Sequence, residues 1–321
     1  MISNTNDRMN EDLAHLSGSY SGTIAKEEDN MFLDSILAEN GTSDIFVQKG
    51  LARIISLHFM KNYRIELRND APLVLAITGA FGVGKSVSVE EICKRLGIKV
   101  VQLGNSHFES MWEGEPTGKI NEEYIKASNA QSEKGIPHCL MIDDIDLAIG
   151  NFKEFSSGTK NTQRVIKAIM AIADNPYNVG DHSTDRVPII MTSNDLSKLY
   201  GALCRPKRMR AWSYELGREE TFSIVKHIFK DLLSSEQIMR LETLTRTWTL
   251  AHFGQLKSII QELILEQQCE HISARDYIYE ALKNEEFSAQ YNVTVNTEIL
   301  ATAIDEVENS ELAAKKNYAK C

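Results

Sequence analysis

Four stretches of this sequence carry the residue types that handle phosphate. The first is Gly79-Ala80-Phe81-Gly82-Val83-Gly84-Lys85-Ser86. Its spacing, G-x-x-x-x-G-K-[S/T], places glycines where a chain must turn tightly and let its backbone approach a ligand. Backbone N–H groups of Gly82, Val83 and Gly84 can then face β- and γ-phosphate oxygens. Lys85 adds a cation, and Ser86 offers a hydroxyl to Mg2+. The second stretch runs Cys139-Leu140-Met141-Ile142-Asp143-Asp144-Ile145-Asp146. An apolar run of strand length ends in carboxylates, and in parallel sheets the carboxyl ends of strands face the ligand crevice. Asp143 suits the metal or its water. Asp144 suits polarisation of an attacking water, with a turn acid or helix cap as the plainer reading. Asp146 reads better as such a cap.

The third stretch, Val187 to Asn194, repeats the arrangement. Asn194 can orient a water or a γ-phosphate, although an isolated Asn there is usually a turn residue. The fourth, Arg205-Pro206-Lys207-Arg208-Met209-Arg210, packs four cations into six positions. It reads as a nucleic-acid patch, a solvated surface, or a pair of arginine fingers that reach a neighbouring subunit's nucleotide. The short segment between Asn194 and the cluster favours the fingers.

These residues need a scaffold, and the hydropathy pattern supplies one. Apolar runs at Leu73–Ile77, Lys99–Leu103, Cys139–Ile142 and Val187–Thr192, with a fifth at Ala211–Tyr214, read as strands. Helical patterns at Ser86–Leu96, Ile120–Ser132 and Thr162–Ala173 fall between them. Such alternation predicts a parallel sheet covered on both faces. A further amphipathic helix precedes the sheet within Ile45–Tyr63. Beyond Gly217 the strands stop and helices are predicted at Glu219–Phe229, Ser235–Leu244, Gly254–Glu266 and Ser273–Leu282. The division is therefore a mobile acidic arm at 1–40 with a short helix near Asn30–Leu37, an α/β domain at 41–216, a helical domain at 217–308, and a polar, fraying tail at 309–321.

Composition narrows the class. The chain has 321 residues, 42% of them apolar and 25% charged, as in an ordinary globular protein. Its net charge is −10, and residues 1–40 hold eight acids against two bases. An acidic balance disfavours general nucleic-acid binding, which draws its affinity from Lys and Arg on phosphates. No apolar run approaches membrane-spanning length, and the N-terminus shows no signal pattern. The five cysteines are scattered, so a reduced, cytoplasmic setting fits better than a disulfide framework or a zinc site.

Taken together, these motifs resemble the AAA+ ATPases, and within them the Rubisco activases, over roughly residues 44–260. Glu109-Ser110-Met111-Trp112-Glu113-Gly114-Glu115-Pro116, Ile172-Ala173-Asp174-Asn175-Pro176, Arg186-Val187-Pro188-Ile189-Ile190 and Phe253-Gly254-Gln255-Leu256-Lys257 carry the likeness beyond the nucleotide motifs. The resemblance implies a P-loop AAA+ module, with a five-stranded parallel sheet flanked by helices and a smaller helical lid. It implies Walker A at Gly79–Ser86, Walker B at Asp143 and Asp144, sensor 1 at Asn194, and arginine fingers at Arg205 and Arg208. Lys257 stands at the place of sensor 2, Asp44 and Ile45 flank the base, and Trp112 lies on a pore loop, where a packed aromatic is the plainer reading. ATP and Mg2+ would be bound between subunits of a hexameric ring that remodels a protein client. Two departures bear on rate: Asp144 replaces the Glu of many relatives, and Lys257 replaces an Arg. Residues 1–40 and those beyond about 270 do not share the activase pattern, which leaves the client open. The rival expectation is a nucleotide-dependent switch or scaffold with slow turnover. A DNA-acting loader is disfavoured by the charge balance.

Overall fold

The computed structural model describes residues 33, 36–37, 45–103, 116–146, 160–199, 201–269, 273–283 and 295–318. Five of its strands form one parallel sheet: β1 (Val74–Thr78), β2 (Lys99–Leu103), β3 (His138–Ile142), β6 (Ile189–Ser193) and β7 (Met209–Ser213), in the order β2-β3-β6-β1-β7. A small antiparallel pair, β4 (Asn178–Val179) and β5 (His182–Ser183), was not apparent in the sequence. β3 and β6 are buried along their whole length, as are the first four residues of β1. That burial explains their unbroken apolar runs, because a parallel sheet covered on both faces has no solvent side to alternate toward.

Helices cover the sheet: α1 (Lys49–Tyr63), α2 (Lys85–Arg95), α3 (Pro116–Lys134) and α4 (Lys160–Asp174). On α3 the buried residues Ile120, Tyr124 and Ala127 recur at helical spacing, and on α4 Val165, Ile169 and Ile172 do the same. These side chains join Val74, Ala76, Leu140, Ile142, Ile189 and Met191 in one core. Tyr124 shows how polar groups are accommodated there. Its hydroxyl donates to the Pro176 carbonyl at 3.3 Å and accepts from the Val187 amide at 3.0 Å. Leu33 and Ile36, within the segment read as an acidic arm, are buried, and the Ile36 carbonyl accepts from Arg95 at 2.7 Å.

The contacts divide the chain into two units: Met1–Ser43, Val47–Phe81 and Lys85–Glu215, and then Asp44–Phe46, Gly82–Gly84 and Leu216–Cys321. The second unit is built of helices α5 (Arg218–Phe229), α6 (Ser235–Leu241), α7 (Leu250–Gln268), α8 (Ala274–Lys283) and α9 (Thr297–Tyr318). Phe222, Val225 and Phe229 of α5, Phe253, Leu256 and Ile260 of α7, and Leu300, Ala303 and Val307 of α9 share its core. A reciprocal cap starts α6: Ser234 Oγ accepts from the Gln237 amide, and Gln237 Oε1 accepts from the Ser234 amide at 2.9 Å. Helix α9 departs from the sequence reading, which stopped its helices at Leu282 and set a fraying tail from Asn309. The apolar positions Ile299, Leu300, Ala303 and Val307 give α9 a buried face, and helix-forming residues carry it to Tyr318.

A buried polar group on α1 makes stability depend on acid. His58 accepts or donates at Nδ1 with Asn62 at 3.4 Å, and its Nε2 has no partner among the described residues. Burial, helped by the nearby charges of Arg186 and Arg210, pushes its pKa down to about 3. A base with a lowered folded pKa stabilises fully above its unfolded value and loses that contribution as pH falls below it. The window therefore opens at the ordinary histidine value of 6.5 and extends down toward 3. Between pH 6.5 and 5.0 the wild-type protein should lose about 2 kcal/mol from this group. His58→Leu should remove that component in urea unfolding at the two pH values. Parallel losses in both proteins would show that His58 is not the proton-sensitive group.

Candidate phosphate site

β6 lies between β1 and β3, and that placement assembles the site. Thr78 at the end of β1 pairs with Ser193 of β6, while Ile142 at the end of β3 pairs with Met191. The loop after β1, the acids after β3 and Asn194 after β6 therefore emerge side by side at the carboxyl edge of the sheet.

Lys85, the first residue of α2, is buried. Its Nζ donates to the Gly79 carbonyl at 2.9 Å, the Ala80 carbonyl at 2.8 Å and Asn194 Oδ1 at 2.8 Å. An ammonium has three protons, so all are committed, and binding a phosphate oxygen requires at least one exchange of partner. Burial lowers the Lys85 pKa, and the negative charges of Asp144, Asp146 and Asp143 oppose that fall. The loop itself needs its glycines. Gly82 and Gly84 have φ of 69° and 84°. A Cβ on Gly79 would lie 2.5 Å from the Tyr214 carbonyl oxygen of the strand-end segment beside it.

Asp143 Oδ1 accepts hydrogen bonds from Ser86 Oγ and from Thr192 Oγ1. Asp144 Oδ1 accepts from Asn194 Nδ2 at 3.4 Å. Burial and the adjacent Asp143 raise the Asp144 pKa, and Lys85 acts against that rise. Asp146 is buried, and its Oδ1 accepts from the Asn194 amide at 3.1 Å. The sequence reading of Asp146 as a cap missed this contact, and it passed over Thr192 altogether. The available signal for Thr192 was a hydroxyl, followed by that of Ser193, at the end of an otherwise apolar buried strand.

The donor set fits a magnesium nucleotide. A hydroxyl and a carboxylate already touch one another at Ser86 and Asp143, and a buried ammonium lies close enough to feel the Asp143 charge. Ser86 and Asp143 are the groups that would hold Mg2+, with phosphate oxygens and water completing its octahedron.

Residues 75–213 match the family model described as ATPase family associated with various cellular activities (AAA). Residues 75–213 are therefore an AAA-type domain. It is also 32% identical over 231 residues to the chloroplastic ribulose bisphosphate carboxylase/oxygenase activase of Zea mays, covering 70% of this chain and 53% of that protein. The activase of Nostoc sp. is 33% identical over 232 residues, covering 70% and 54%. The chloroplastic activase of Arabidopsis thaliana is 31% identical over 231 residues, covering 70% and 48%. The chain thus spans about half the length of these curated relatives. Among the described residues no helix is long and apolar enough to cross a membrane.

The remaining candidates of the AAA domain reading lie elsewhere. Arg205 is exposed. Arg208 is mostly enclosed: its Nε and one terminal nitrogen each donate to Asp174 at 2.6 Å, and the other terminal nitrogen donates to the Ala202 carbonyl at 2.6 Å. Lys257, on α7, and Ile45 belong to the second unit and are each half-buried. Trp112 and Asp44 lie outside the described residues.

Proposed function

We propose that this AAA domain binds Mg-ATP, hydrolyses it, and works in a ring of identical subunits to remodel a protein partner. The observation that carries the reading is the convergence of Lys85, Ser86, Asp143, Asp144 and Asn194 at the ends of three adjacent parallel strands. Lys85 and the loop amides hold the phosphate chain. Bound Mg2+ would neutralise phosphate charge and orient its oxygens. Asp144 accepts a hydrogen bond from the attacking water, and Asn194, held between Lys85 and Asp144, keeps that water and the carboxylate in register.

The ring supplies the last charge. Arg205 is the exposed member of the arginine pair and is assigned to the neighbouring subunit's γ-phosphate. Arg208, held in its fork with Asp174, braces the turn that presents Arg205, since the Arg205 carbonyl accepts the Arg208 amide at 2.8 Å. To act as a second finger it must leave that fork. Mixing tests the shared site. Arg205→Ala subunits lack the finger, and Lys85→Ala subunits lack the nucleotide, so each alone should turn over at under about 1% of the wild-type rate. Random 1:1 mixing should restore about a quarter of the interfaces, because one subunit's site then meets the other's finger. No recovery on mixing would remove the shared-site reading.

The relatives are named for activation of ribulose bisphosphate carboxylase/oxygenase, which makes that enzyme the first client to test. A switch or scaffold with slow turnover is the rival, favoured by the short carboxylate of Asp144. A remodeller accelerates hydrolysis when its client is added, whereas a switch does not.

A further inference from the structure

Asp144 is the one non-glycine residue with positive φ among the described residues, at 46°. Left-handed backbone brings Cβ close to a carbonyl, and Asp is one of the few non-glycine residues that adopt it readily when a local hydrogen bond holds it. The group that holds the Asp144 amide here is the Thr192 hydroxyl. Thr192 Oγ1 accepts from the Asp144 amide at 2.9 Å and donates to Asp143 Oδ1 at 2.5 Å. A single hydroxyl thus closes on both sides of the peptide that joins the two acids. Thr192 is fully buried on β6, and its branched Cβ restricts the rotamers open to the hydroxyl. The opposite end of the turn is tied in the reverse sense, with Asp146 Oδ1 accepting from the Asn194 amide.

We propose that Thr192 is a positioning residue for hydrolysis: its hydroxyl fixes the Asp143–Asp144 peptide and so holds the Asp144 carboxylate against Asn194. It acts mainly on turnover, with a small effect on nucleotide affinity through its bond to Asp143. The side-chain hydrogen bonds of Thr192 go to the acidic turn, while the loop's cation is held by Gly79, Ala80 and Asn194. The inference rests on the hydrolytic reading above.

The test uses the full chain with Thr192→Val, which removes the hydroxyl and keeps the shape, and Thr192→Ser, which keeps the hydroxyl. In Thr192→Val, kcat for ATP should fall about 100-fold, with affinity for a fluorescent ATP analogue in Mg2+ changed by less than about threefold. Thr192→Ser should recover most of the loss. Without nucleotide, hydrogen exchange in residues 139–146 should rise at least about tenfold in Thr192→Val and stay near wild type in Thr192→Ser. Wild-type kcat in Thr192→Val, a joint loss of kcat and affinity, or a Thr192→Ser protein as impaired as Thr192→Val would each overturn the assignment. If no protein in the series turns over ATP, the hydrolytic reading fails. The exchange data then still decide whether Thr192 holds the turn, and unchanged exchange overturns that hold.

Discussion

Lys85→Ala protein should lose Mg-ATP affinity by about 100-fold or more, with hydrolysis falling below detection. Removing one member of a buried, charge-paired contact costs about 2–5 kcal/mol, and about 1.4 kcal/mol is tenfold in affinity. The structure argues for the upper part of that range. The ammonium is buried and stands among Asp143, Asp144 and Asp146, so its loss leaves three carboxylates facing the incoming phosphates without the cation that offsets them. It also strips the Gly79 and Ala80 carbonyls of their donor, which loosens the loop before any ligand arrives. Lys85→Met retains the aliphatic stem and separates the loss of charge from the loss of packing. Titration calorimetry with both variants, beside their thermal unfolding midpoints, gives the answer. Affinity preserved in a folded Lys85→Met protein would place the nucleotide elsewhere and end the case for this site.

Asp144→Asn should do the opposite: bind Mg-ATP about as well as wild type and hydrolyse it about 100-fold more slowly or worse. The substitution removes the negative charge that polarises water but keeps a side-chain oxygen opposite Asn194. It also suits the backbone. Asn is, with Asp, among the non-glycine residues that accept positive φ most readily, so the 46° conformation at this position need not change. The variant is thus a probe of chemistry with little cost in folding. Single-turnover hydrolysis measured against equilibrium binding checks it, and under the proposed remodelling function the ATP-loaded variant should retain a client long enough for capture. A variant that hydrolyses at the wild-type rate would leave Asp144 as a turn residue, the plainer reading of its position.

The two variants probe different parts of one arrangement. Lys85 is reached through a contiguous motif, whereas the environment of Asp144 is contributed by β3 and β6 together. The loop, the strand-end acids and Asn194 were therefore legible in the primary sequence. Each is a local pattern: glycine spacing, or an apolar run that stops at a polar group. Thr192 was not legible as a partner of Asp144, because its hydrogen bonds cross 48 and 49 residues of chain. The fork between Arg208 and Asp174 spans 34 residues and was equally hidden, so the arginine pair read as two equivalent cations.

What the amino-acid order determined alone is the alternation of apolar strands with amphipathic helices, a glycine-rich loop followed by a lysine, and acids at a strand end. Those features depend on local sterics, hydrophobic periodicity and residue chemistry over a few positions. The tertiary structure decided that β6 stands between β1 and β3, that Asn194 meets both Lys85 and Asp144, and that Arg208 is tied down while Arg205 is exposed. Strand order follows from how the whole set of apolar faces is buried at once. No short stretch contains that information, and so the partners of each polar group appear only once the sheet is closed up.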